Sequence, residues 1–168
     1  KLKIDDVVGA ITGTRGASAT EIAFITTVRG HRDVALMDAD GGNQREATNS
    51  VAVKAFPAWL PNAGGILYTA YVTGRQPGLF VAARSRAVRA GPLLDGVLAG
   101  EPKYRGVFHP TGESLAMVSS VDGAAEIFRV RRKDDEPLRL TTHPAIDISP
   151  SWSPDGSQIV FCSDRSGA

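Results

Sequence analysis

Short apolar phrases alternate with turn-forming polar stretches along this chain, and one phrase recurs four times: Ile22-Ala-Phe-Ile, Ile66-Leu-Tyr-Thr, Leu115-Ala-Met-Val and Ile159-Val-Phe-Cys. Their starts lie 44, 49 and 44 residues apart, and each phrase is followed a few residues later by a glycine. A period in the forties built from short β-rich segments marks a propeller or another repeat array. The phrases are apolar at consecutive positions, as expected of strands packed on both faces. Each is preceded by a strand carrying one large aromatic: Pro57-Ala-Trp59-Leu-Pro61, Gly106-Val-Phe108-His-Pro110 and Pro150-Ser-Trp152-Ser-Pro154-Asp-Gly156. The proline and Asp-Gly pairs after the aromatic suit tight turns.

A third strand is predicted at Val34–Met37, Leu79–Ala82 and Ile127–Val130, followed by an outer strand at Arg45–Thr48, Val88–Ala90 and Leu138–Thr141. The total is 13 strands, in groups of three, four, four and two. The fold class is therefore all-β: a partial β-propeller of four-stranded antiparallel blades, about three of them. Such a ring does not close on this chain alone, and the chain reads as part of something larger whose open blade faces and strand edges invite association. Ahead of the blades, Ile4, Val7, Val8 and Ile11 fall at helical spacing, with Asp5 and Asp6 in the first turn and Gly13 and Gly16 beyond. This predicts one short α-helix. Residues 1–20 are read as helix and linker, and 21–168 as propeller.

Composition changes this picture little. Net charge is +1, with 19 basic and 18 acidic residues interspersed, so nucleic acid is not an expected partner. The cluster Arg129, Arg131, Arg132 and Lys133 runs into Asp134, Asp135 and Glu136, as a solvated hairpin does. No apolar run approaches the roughly 20 residues a membrane-spanning helix needs, so direct membrane insertion is not expected. The single Cys162 excludes an internal disulfide and reads as a buried strand residue.

Candidate chemistry is sparse. Asp38, Asp40 and Asn43 resemble the start of a calcium loop, but Asn49 stands where its last ligand would be a glutamate, and a hairpin turn explains the segment. His31, His109 and His143 have no partners at ligand spacing and read mostly as exposed loop residues. His143, before Pro144, is the one placed to touch a partner. Ser119, Ser120 and Ser149 lie in no nucleophile elbow, so no catalytic residue, metal or cofactor is assigned. Trp59, Phe108 and Trp152, one per blade, are expected to pack between blades.

The segment Met37-Asp-Ala-Asp-Gly-Gly-Asn-Gln44, with Pro57-Ala-Trp59 and Pro150-Ser-Trp-Ser-Pro-Asp-Gly156, resembles the β-propeller repeat of the TolB family. Such repeats also occur in propellers of prolyl-oligopeptidase-like hydrolases and of sugar lyases, which is the alternative reading, together with an orphan interaction propeller. Residues 2–25 resemble the junction at which the family's small α/β domain passes into its propeller. The resemblance implies a six-bladed ring of which this is the first half. It implies a non-enzymatic periplasmic scaffold of the Tol-Pal system that binds the lipoprotein Pal through propeller loops, supporting envelope integrity and constriction during cell division. TolA is implied as a partner of a region preceding this chain. Carried onto this sequence as loop positions before each aromatic, the Pal site comprises Val53, Lys54, Ala55 and Phe56; Pro102, Lys103, Tyr104 and Arg105; and Ile146, Asp147, Ile148 and Ser149, with His143 added from its own place in the third connection. Phe56 and Tyr104 are expected as aromatic anchors, and Lys54, Lys103 and Arg105 as steering charges.

Overall fold

A computed structural model describes residues 20–28, 30–84, 90–131 and 135–165. The short helix expected over Ile4–Ile11 lies outside the described residues. The described residues form 13 strands: β1 (Glu21–Val28), β2 (His31–Asp38), β3 (Arg45–Glu46), β4 (Val53–Trp59), β5 (Gly65–Tyr71), β6 (Gly78–Ala83), β7 (Gly91–Leu93), β8 (Tyr104–Phe108), β9 (Leu115–Ser119), β10 (Glu126–Val130), β11 (Leu138–Arg139), β12 (Asp147–Trp152) and β13 (Ile159–Ser163). They form four sheets in chain order, β1-β2-β3, β4-β5-β6-β7, β8-β9-β10-β11 and β12-β13, and every pairing is antiparallel. This is the blade arrangement the repeat predicts. The second outer strand is described at Gly91–Leu93; Val88 and Arg89 of the expected span lie outside the described residues.

Registers make the blades superimposable. Trp59 pairs with Ile66, Phe108 with Leu115 and Trp152 with Ile159. The core lies between neighbouring sheets: Val34, Leu36 and Ile66 with Trp59 between the first and second, and Leu67, Leu79, Leu115, Met117 and Phe128 with Phe108 between the second and third. Every residue of β9 is buried, so burial on both faces removes the alternation a half-exposed strand would show. The aromatics do pack between blades. Trp152 also donates its indole N–H to the Val107 carbonyl at 3.2 Å.

β13 carries the same phrase under different conditions. Val160 is 69% exposed where the equivalent Leu67 and Ala116 are 0%, because no other described sheet covers that face. Cys162 shares this fate. It is exposed, contrary to the buried role expected, although its equivalents Thr69 and Val118 are buried.

The middle blade explains its own departure from the repeat. Gly106 stands where the other blades have Pro57 and Pro150, and a Cβ there would lie 2.9 Å from Leu79 Cδ1 and 3.0 Å from Leu67 Cδ2. The positions equivalent to Leu67 in the first and third sheets are Ala23 and Ala116. A large residue in one blade is thus matched by glycine in the next, keeping the inter-blade volume constant.

Candidate functional site

The first strands of three successive blades, β4, β8 and β12, contain the same irregularity. Two residues oppose one at Phe56-Pro57, Arg105-Gly106 and Ser149-Pro150, where the pairing register shifts. The first residue of each bulge is left-handed: φ is 54° at Phe56, 51° at Arg105 and 57° at Ser149. A bulge of this form normally takes glycine, and a larger residue there costs on the order of 1–3 kcal/mol. Its effect is to re-aim the side chain. Here the re-aimed side chains meet across blades: the Arg105 guanidinium lies over the Phe56 ring at 4.1 Å and donates from Nη1 to Ser149 Oγ. The Arg105 backbone N–H donates to Thr69 Oγ1 at 3.0 Å, fixing the bulge to the preceding blade.

Around this row the surface is aromatic and apolar. Tyr104 Oη and Ser120 Oγ share a hydrogen bond of 3.0 Å. Tyr71, paired with Val53, is exposed; partial burial pushes its phenol pKa up, Arg105 pulls it down and Tyr104 adds to the rise, for a net upward shift. Phe56 is 37% exposed, and Val51, Val53 and Ile146 are exposed at the end of the blades where the outer strands hand over to the next inner strand. His143 lies in the β11–β12 connection, where its Nδ1 accepts from the Ala145 N–H at 3.1 Å.

The loop assignment made from sequence needs correction. Val53, Lys54, Ala55 and Phe56 lie within β4, Tyr104 and Arg105 within β8, and Asp147, Ile148 and Ser149 within β12; only Pro102, Lys103, His143 and Ile146 are connecting residues. Lys54 and Lys103 do not present their charge to a partner. Their exposures are 1% and 7%, and the equivalent Asp147 is 0% exposed. These three residues, each two before a bulge, are instead buried fastenings.

Lys54 forms an ion pair with Asp33 at 2.7 Å and donates to the Ser50 carbonyl. Asp33 also accepts from Thr48 Oγ1 at 2.8 Å, and Thr48 Oγ1 accepts from the Val34 N–H at 3.0 Å. Burial would raise the Asp33 pKa, but the bonds from Lys54 and Thr48, together with the Lys54 charge, bring it below the ordinary carboxylate value. In the third blade Glu126 and Thr141 repeat Asp33 and Thr48: the Ile127 N–H donates to Thr141 Oγ1 at 2.9 Å, and Thr141 donates to Glu126. Asp147 replaces the lysine and pairs with Arg165; against burial, which raises its pKa, bonds from Arg165, Ser163 and Thr141 hold it low. In the second blade Val97 stands where the other two have threonine and Gly78 where they have the acid. Lys103 there donates to the Leu98 and Glu101 carbonyls at 2.9 and 3.2 Å. Burial lowers its pKa, partly offset by Asp95 and Glu101.

His109 also differs from expectation. It is buried, its ring meets Trp152 edge-on at 4.8 Å, and Nδ1 and Nε2 lie 2.8 and 3.2 Å from Thr111 Oγ1 and the Gly156 carbonyl. It joins the turns of adjacent blades. Asp38 accepts from Asn43 Nδ2 at 2.5 Å and Asp40 from the Gly42 N–H at 2.9 Å, the work of a turn. Among the described residues no group of three His, Cys, Asp or Glu side chains is placed to hold a metal, and no helix is long and apolar enough to cross a membrane.

Residues 8–168 match the TolB beta propeller domain family. The chain belongs to that family. It is 36% identical over 150 residues to a Tol-Pal system protein TolB of Anaeromyxobacter dehalogenans, covering 88% of this chain and 33% of the relative. The crystal structure of TolB from Acinetobacter baumannii superimposes with a TM-score of 0.78 at 26% identity, over 98% of this chain and 41% of that one. An oligogalacturonate lyase of Vibrio parahaemolyticus shares the fold alone, with a TM-score of 0.61 at 16% identity over 88% of this chain and 43% of that one. The chain spans about a third of the length of the curated relatives it matches. Membership in the TolB family accounts for the repeat and the bladed sheets.

Proposed function

We propose that this chain is the Pal-facing portion of a non-enzymatic, periplasmic scaffold of the Tol-Pal system, and that the inner-strand row with its apolar surround is the docking surface. The observation that carries the reading is the row itself: three left-handed bulges at equivalent positions turn Phe56, Arg105 and Ser149 toward one another. Backbone strain repeated in register is retained where it serves recognition. An aromatic ring, a planar cation and exposed apolar neighbours have the composition of an interface centre. Val53, Phe56, Tyr104, Arg105, Ile146, Ser149 and His143 form the contact set, with Ala55, Pro102 and Ile148 as its backbone frame. Lys54, Lys103 and Asp147 hold that frame. TolA would be met by a region that precedes these residues, and the role served is envelope integrity during constriction.

The test is a calorimetric titration of the full-length protein with the soluble domain of Pal at two salt concentrations. Saturable binding that Phe56→Ala and Ile146→Glu each weaken supports the reading. Failure of the folded protein to bind Pal overturns it and leaves an interaction propeller with another partner.

A further inference from the structure

The arginines that pair with carboxylates on this structure are bound to named acids. Arg45 and Arg84 share Glu21, Arg139 takes Asp122 and Glu126, and Arg165 takes Asp147. Arg105 differs. Among the described residues it has no carboxylate partner; the Phe56 ring supports its guanidinium face, and its one guanidinium hydrogen bond is the Nη1 donation to Ser149 Oγ. A guanidinium has five N–H donors. The remaining donors form a planar fork whose orientation is already fixed by a ring on one side, a hydroxyl at one tip and an anchored backbone beneath. This fork matches a carboxylate bidentately, and little side-chain freedom is left to lose on binding.

We propose that Arg105 is a carboxylate-recognition residue, which selects an aspartate or glutamate side chain of an acidic peptide segment brought to the inner wall of the blades. The inference deepens the docking reading above and takes its location from it. Ser149 is the stand-in acceptor in the free protein, and the incoming carboxylate replaces or joins it. Phe56 is a positioning residue whose ring, 4.1 Å from the guanidinium carbon, holds the group in place for the incoming carboxylate. The fastening at Lys103 keeps its own charge inside, so recognition falls to Arg105.

The probe is an acetylated, amidated hexapeptide of alternating Asp and Glu, compared with its Asn/Gln counterpart, titrated into full-length protein labelled with ¹⁵N-arginine. The readout is the Arg105 Nε–Hε resonance, assigned by its loss in Arg105→Lys. A saturable shift with the acidic peptide and none with the amide peptide is expected. Arg105→Lys, which keeps the charge without the fork, should bind about tenfold or more weakly, and Arg105→Gly should not bind. Glycine adopts the left-handed bulge freely, so a melting temperature that does not fall in that variant separates recognition from folding. An unmoved Arg105 resonance, equal binding by Arg105→Lys, or equal displacement by sulfate would overturn the inference, the last by showing a general anion site. If soluble Pal binds Arg105→Gly as well as the wild type, the carboxylate inference falls and the docking reading stands. If Pal does not bind while the peptide still shifts Arg105, the docking reading falls and the recognition site stands.

Discussion

Gly106 offers a direct test of how the blades fit together. Substitution by alanine places a Cβ 2.9 and 3.1 Å from the two terminal carbons of Leu79 and 3.0 Å from Leu67 Cδ2, and both leucines are fully buried. Overpacking of this kind costs about 1–3 kcal/mol, offset by about 0.4–1 kcal/mol because alanine restricts the unfolded chain. Gly106 does not have a positive φ, so no backbone penalty enters. Gly106→Ala should therefore destabilise by about 0–2.6 kcal/mol. Leu67→Ala alone opens a cavity and costs about 2–5 kcal/mol. The combination recreates the small residue that Ala23 and Ala116 supply in the other sheets, so the double variant should be more stable than the sum of the singles by about 0.5–3 kcal/mol. Equilibrium urea unfolding of the full-length protein and its three variants, followed by tryptophan fluorescence, measures the cycle. Additivity within about 0.5 kcal/mol would refute volume compensation between these positions.

Removing Lys54 with Lys54→Met leaves Asp33 buried without its counter-ion and should cost about 3–5 kcal/mol in urea unfolding, of which Asp33→Asn in the same chain recovers part. Asp33 and Asp147 have pKa values lowered on folding, so their contribution is present above the unfolded carboxylate value of about 4 and is lost as pH falls through their folded values. Melting temperature should drop over that acid window, and Asp33→Asn should flatten the drop; a pH-independent melting temperature there would contradict it. At Gly156, φ is 74° and a Cβ would lie 1.9 Å from His109 Nε2, so Gly156→Ala should expel the imidazole from the turn and alter Trp152 fluorescence as well as lower stability.

Blade count, strand order and the aromatic positions were legible because they rest on a repeat: the pairing of Trp59, Phe108 and Trp152 with the next phrase's first residue is the same three times. The bulges were not legible. Left-handed backbone is normally announced by glycine, and Phe56, Arg105 and Ser149 give no such announcement, so the strand beginnings around them read as loops. Lys54 read as a surface charge because its partner Asp33 is distant in sequence and meets it only across a blade junction. A signal was nonetheless present. Thr48 and Thr141 each stand 11 residues before the aromatic, and Asp33 and Glu126 each precede the third strand's apolar run. Cys162 was misread for a simpler reason, since its phrase carries no information about whether a sheet lies over it.

The fastenings lie two residues before the bulges, within β4 and β12 and just ahead of β8, and this spacing ties rigidity to the proposed recognition. A non-glycine residue keeps a left-handed conformation only if its surroundings over-determine it. On the carboxyl side of Arg105 the constraints are the Val107–Ala116 and Phe108–Leu115 pairings; on the amino side they are the Tyr104–Val118 pairing, the Arg105 N–H bond to Thr69 Oγ1, and Lys103, whose ammonium closes the Leu94–Lys103 connection onto Leu98 and Glu101. Lys103→Met preserves the stem and removes the ammonium. The Leu98 carbonyl retains the Glu101 N–H at 3.0 Å, leaving the Glu101 carbonyl without its lysine, and the loss should be about 1–3 kcal/mol. The effect on Arg105 should exceed that modest cost: with one of its upstream constraints gone, the bulge can relax toward ordinary strand geometry and withdraw the guanidinium from the Phe56 ring. Heteronuclear relaxation of the Arg105 side chain would show increased motion in Lys103→Met at a temperature where the protein remains folded. Unchanged Arg105 order alongside the stability loss would mean that the strand pairings and the Thr69 bond hold the bulge without the ammonium, and that the buried lysine serves the fold without serving the site.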